Sequence, residues 1–138
     1  MKTSPLETAD YDLIKAAQSE FLAIRSHNWH GVASALRLKS GAIISGMVLE
    51  AENPSLTICA EPITIGKALD HIHSDPIVCI VAVRDREETE HKVIPPCGRC
   101  REFITDYAQD AYVIIHSLEE NTLIKVLATD LLPFKYKN

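Results

Sequence analysis

Apolar residues Leu6, Leu13, Ile14, Ala17, Phe21 and Ile24 recur at the three- and four-residue steps of a helix, which predicts one amphipathic helix ending near Arg25. Its start is read at Ser4-Pro5-Leu6-Glu7: a serine cap, proline at the first helical position and glutamate three residues after the cap. The period then changes. Val32 to Lys39 and Ala42 to Leu49 read as two strands turning at Ser40-Gly41, an antiparallel hairpin. Ile77 to Val83 is apolar almost without interruption, so it is expected to be a strand covered on both faces. Tyr112 to His116 and Thr122 to Val126 are the remaining strands.

Two more helices are expected. One opens at Ser55-Leu56-Thr57-Ile58-Cys59, carries Ile63, Leu69 and Ile72, and stops before Ser74-Asp75-Pro76; the other opens at Pro96-Cys97 and runs to about Ala108. Arg84 to Lys92, dense in charge, reads as a solvated loop. The order helix, two strands, helix, strand, helix, strand, strand predicts an α/β fold, a three-layer α/β/α sandwich around a mixed five-stranded sheet. At 138 residues the chain is expected to be one domain, residues 1–138, burying about two-thirds of its unfolded surface.

Composition narrows the partners. Hydrophobic residues make up 46% and charged residues 24%, without an apolar run long enough for a membrane span. The first residues lack an apolar signal core, and four cysteines without that signal point to metal or catalysis in a cytoplasmic protein. A net charge of −5 argues against a groove that tracks a nucleic acid polymer, and favours a small neutral or cationic substrate.

The reactive residues lie at the two later helix starts. Cys97 and Cys100 are spaced so that both sulfurs can face one metal ion from a first helical turn, and Cys59 can supply a third if the two helix starts meet. Unpaired N–H groups and the helix dipole favour thiolates at such ends. Three ligands leave one tetrahedral position open, as catalytic zinc sites do. Glu61, two residues beyond Cys59, is placed to exchange protons with a water at that position. Other readings of the cysteines remain: a redox dithiol, or a structural zinc site completed by His71, His73, His91 or Cys79. Three thiolates on one Zn²⁺ leave net negative charge, so Arg99 or Arg101 is expected to donate hydrogen bonds to the sulfurs.

Cys59-Ala60-Glu61 followed by Pro96-Cys97-Gly98-Arg99-Cys100 resembles the zinc-dependent cytidine deaminase superfamily, in particular the small branch that holds homotetrameric cytidine deaminases and blasticidin S deaminases. The resemblance extends more faintly from about Tyr11 to Tyr136. It implies the same sandwich and a zinc-dependent aminohydrolase that releases ammonia from an aminopyrimidine nucleoside or analogue. Cys59, Cys97 and Cys100 would hold Zn²⁺, Glu61 would carry protons, and the Ala60 backbone would orient the new oxygen. Substrate contacts would come from His30, Val48 and Glu50. Where relatives carry a sugar-binding asparagine this chain has Val48, and where they carry phenylalanine it has His30. An aromatic after Leu131-Leu132-Pro133 would reach a neighbouring subunit's site, which makes Phe134 and Tyr136 candidates and implies a homotetramer with shared active sites. Val32-Ala33-Ser34-Ala35 and Cys97-Gly98-Arg99-Cys100-Arg101 also look close to blasticidin S deaminase. A structural zinc or substrate-binding module is the non-enzyme reading, and the presence of Glu61 speaks against it.

Overall fold

The computed structural model describes residues 2–23, 31–85 and 91–137. In chain order its strands and helices are β1 (Thr3–Ser4), α1 (Thr8–Ala23), β2 (Val32–Leu38), β3 (Ile43–Met47), α2 (Ala60–Ala68), β4 (Ile77–Asp85), β5 (His91–Ile94), α3 (Gly98–Tyr107), β6 (Tyr112–Ser117) and β7 (Thr122–Leu127). Short 3-10 turns occupy Pro54–Leu56 and Ala128–Leu131. No described helix is long and apolar enough to cross a membrane.

The mixed sheet has seven strands among the described residues, against the five expected, in the order β1-β7-β6-β4-β2-β3 with β5 also paired to β4. β4 runs parallel to β6 and antiparallel to β2, the arrangement of a sheet whose centre needs cover on both sides. Alternation along the strands sends side chains to opposite faces. Ala33, Ala35, Cys79, Val81 and Val83 pack with Leu13, Ile14, Ala17 and Phe21 of α1. Leu36, Leu38, Ile80 and Val113 pack with Ile65 and Ala68 of α2 and Ile104 and Ala108 of α3. The result is the three-layer α/β/α sandwich. α2 seats closely: a side-chain carbon added at Gly46 would stand 3.0 Å from Thr64 Oγ1, whose hydroxyl already donates to Ala60 O at 2.8 Å.

Three expectations are corrected. α1 starts at Thr8, because Thr3 and Ser4 are extended and pair with Val126 and Lys125, while Asp10 Oδ2 takes up the Glu7 N–H at 2.9 Å. α2 starts at Ala60. The earlier start signal is spent on the 3-10 turn, whose Ser55 N–H donates to Asn53 Oδ1, and Ile58 then bridges to Leu49 as extended chain. The charged stretch is not all loop: Arg84 pairs with Lys92 and Asp85 with His91 in the β4–β5 ladder.

A buried ionic cluster joins α1 to β2 and β7. Asp10, fully buried, lies 2.8 Å through Oδ1 from Arg37 Nη2 and 2.7 Å through Oδ2 from Lys125 Nζ. Arg37 Nη1 also donates to Ala9 O at 2.7 Å, and Lys125 lies 3.8 Å from Glu7 and over the Tyr112 ring.

Candidate active site

Cys59 and Cys97 occupy equivalent places, each the cap residue at the N-terminus of a helix, with extended backbone at ψ 156° and 168°. Neither side chain caps its own helix, so both sulfurs are free to turn toward each other. Cys100 follows inside the first turn of α3, buried, while Cys59 is half-buried and Cys97 exposed. The Sγ atoms of Cys59 and Cys97 are 3.7 Å apart, those of Cys97 and Cys100 3.4 Å, and all three lie within 4.8 Å of one another. Tetrahedral zinc with bonds of about 2.3 Å places its sulfur ligands roughly 3.8 Å apart. The three sulfurs therefore fit one such ion.

Among the described side chains no fourth ligand joins them. His71 and His73 are exposed beyond α2, Cys79 is buried in the α1 layer, and the side chain of His91 lies outside the described residues. A closed structural site built on His71, His73 or Cys79 is thus not what the chain assembles.

Glu61 is the second residue of α2 and only 4% exposed. Burial pushes its carboxyl above the usual carboxylate range, against the pull of its own backbone N–H and the Cys100 thiol. Burial likewise raises Cys59 and Cys100, and the nearby Glu61 charge adds to both. Cys97 moves the other way: burial opposes its thiolate, but the Cys100 backbone N–H and the two neighbouring thiols outweigh it. Cys59 and Cys100 hold protons that a divalent ion would displace from their sulfurs, while Cys97 already leans toward the thiolate.

The arginines act differently from expectation. Arg99 Nη1 donates to Thr57 O at 3.3 Å, and Arg101 donates through Nε to Pro96 O at 2.9 Å and through Nη1 to Leu131 O at 3.1 Å. Thr57 and Pro96 immediately precede the ligand segments, and a carbonyl is a harder, better-directed acceptor than a thiol. These bonds tie the Cys59 and Cys97 segments to α3.

The remaining candidates divide. Ala60 is buried as the first residue of α2, Val48 is buried, and Glu50 is half-buried beside the Leu49–Ile58 bridge that leads to Cys59. His30 lies outside the described residues. Phe134 is fully exposed with a left-handed φ of 59°, and Tyr136 is 78% exposed. Between them Lys135 binds the tail to α3, donating to Thr105 Oγ1 at 2.7 Å and Asp106 Oδ1 at 2.6 Å. Phe134 is not covered by any of the described residues. The sequence reading missed Asp10, Arg37 and Lys125; the signal was a lone cation in each of two apolar strands and a lone acid on an apolar helix stripe.

No protein-family model matches the chain. It is 38% identical over 140 residues to the blasticidin-S deaminase of Bacillus cereus, covering 99% of this chain and 98% of that one. It is 31% identical over 103 residues to the cytidine deaminase of Halalkalibacterium halodurans, 74% of each chain. In fold it is similar to the cytidine deaminase from Bacillus anthracis, with a TM-score of 0.75 at 23% identity over 92% of this chain and 89% of that one. The cytidine deaminase from Burkholderia pseudomallei gives a TM-score of 0.70 at 24% identity, covering 95% and 100%. One sequence relative spanning nearly the whole chain, a second over about three-quarters of it and a shared fold agree with the cysteine geometry: the chain belongs to the cytidine deaminase superfamily.

Proposed function

We propose that this protein is a zinc-dependent aminohydrolase that replaces the exocyclic amine of an aminopyrimidine nucleoside or analogue with a carbonyl oxygen. The observation that carries this reading is a buried carboxyl, Glu61, set beside three converging sulfurs. Cys59, Cys97 and Cys100 would hold Zn²⁺, which when bound supplies Lewis acidity that eases deprotonation of water. Glu61 accepts a proton from the attacking water and delivers it to the ring nitrogen, which makes the adjacent carbon electrophilic. It then takes the second proton from the new hydroxyl and gives it to the amine, which leaves as ammonia. The raised affinity of Glu61 for protons suits both deliveries. The Ala60 N–H, unspent within the first turn of α2, orients the incoming oxygen.

Glu50 and His30 would meet the rest of the substrate, and Val48 removes one hydrogen bond that a sugar hydroxyl would use. Phe134 and Tyr136, exposed on a pinned tail, would complete a neighbouring copy's pocket in a homotetramer. Blasticidin S is a second reading of the substrate, favoured by the whole-chain identity to a blasticidin-S deaminase. The test is ammonia release from cytidine, deoxycytidine, cytosine and blasticidin S, with metal content measured on the same preparation. One zinc per chain and turnover of at least one substrate are expected. Zinc-loaded protein that releases ammonia from none of them would overturn the proposal.

A further inference from the structure

The outer edge of β4 is shared by two partners. Cys79 to Val81 pair with β6, whereas Ala82 to Asp85 pair with β5, and among the described residues no ladder joins β5 to β6. The sheet therefore forks. In the fork lies a cleft of about 530 Å³, within the roughly 300–1,000 Å³ range of small-molecule sites. Ile94, Pro95, Ile115 and Ile124 give it an apolar floor. Ile115 follows Val113 by two residues and Arg84 follows Ile80 by four, so both belong to the face that α2 and α3 cover elsewhere.

The rim carries the informative charges. Arg84 and Lys92 line the cleft and stand directly opposite each other in the β4–β5 ladder, both exposed. Like charges in directly opposed positions destabilise a sheet unless something anionic lies between them. Among the described residues neither has an ion-pair partner. Glu119 is the one acid in the lining, against the two cations. His116 also lines the cleft and has a buried Nδ1 without a hydrogen-bond partner. None of Cys59, Glu61, Cys97 or Cys100 is in the lining.

We propose that this cleft is a second ligand site that takes a small amphipathic anion, its apolar body on Ile94, Ile115 and Ile124 and its carboxylate, sulfonate or phosphate group between Arg84 and Lys92. A divided strand edge creates the space, apolar side chains line its floor, and the opposed cations favour negative charge at its rim.

The experiment titrates the full-length, zinc-loaded protein with anilinonaphthalene sulfonate, and with uncharged phenylnaphthylamine as the matched neutral probe. One saturable sulfonate site per chain is expected, with weaker binding of the neutral probe. Lys92→Glu and Arg84→Glu should each weaken sulfonate binding by about tenfold or more, the scale of a lost charged contact. Because either change turns a like-charge pair into an opposite-charge pair, melting temperature should hold or rise. Equal sulfonate binding by wild type and both variants, or no saturable site, would overturn the proposal. So would a change of particle mass in the variants on light scattering with no probe bound by wild type, since the cleft would then be a contact between copies.

Discussion

Two clusters contain buried acids, and those acids shift in opposite directions although burial pushes each of them the same way. At the ionic cluster, burial works against the Asp10 carboxylate, but Lys125, the Glu7 backbone N–H and Arg37 outweigh it and hold that carboxyl below its usual range. Lys125 correspondingly rises above its usual range, burial again being outweighed by Asp10. At the cysteine cluster, burial of Glu61 and Cys100 prevails and both shift up. The difference is one of partners. The first cluster is neutralised by the chain's own Arg37 and Lys125; at the second, no charged partner among the described residues offsets the burial of Glu61.

Substitutions can break this contrast, beginning with the largest effect. Glu61→Gln should lower ammonia release at least ~100-fold, the scale of a lost general acid–base, with zinc content and melting temperature unchanged. Single-turnover assays with metal analysis check it, and near-normal activity would reduce Glu61 to a residue that suits a helix start. Lys125→Met should do the reverse. It leaves Asp10 buried with one cation fewer and should cost about 3 kcal/mol in chemical denaturation, with turnover of the folded enzyme nearly unchanged.

A smaller effect is expected at the edge of the site. Val48→Asn should raise kcat/KM for cytidine by roughly 10- to 100-fold relative to wild type, if restoring a hydroxyl partner has its ordinary value. The smallest effect is a pH trend. Since the folded pKa of Asp10 lies below its unfolded one, its contribution is complete above the unfolded value and is lost as pH falls through the folded value. Lys125, raised, contributes fully below its unfolded value and loses that contribution as pH rises through the folded one. Denaturation midpoints of wild type and Asp10→Asn should therefore differ most near neutrality and converge in acid.

The cysteine cluster was legible because its chemistry is written in residue type and spacing: Cys59, Glu61, Cys97 and Cys100 need only two helix starts to meet. The ionic cluster depends on pairings between α1, β2 and β7 that spacing along one segment cannot reveal. The five longer strands and α3 were visible in apolar period, whereas β1 and β5 are too short to show one and exist because β7 and β4 offer them an edge. Local start signals misled twice for the same reason. Serine is a common cap, but a sheet edge claims Ser4, and Ser55 sits inside a single 3-10 turn that Asn53 caps. The arginine contacts were hidden because Thr57, Pro96 and Leu131 accept through backbone oxygen, which every residue carries.

The close approach at Gly46 has a consequence for how this protein can diversify. Any side chain there would crowd the Thr64 hydroxyl, which would have to give by a few tenths of an ångström on the helix that opens with Cys59 and Glu61. Position 46 answers to the packing of α2 rather than to substrate. A mutational library selected for activity should thus be enriched in glycine at 46, with larger side chains tolerated only where Thr64 can give way.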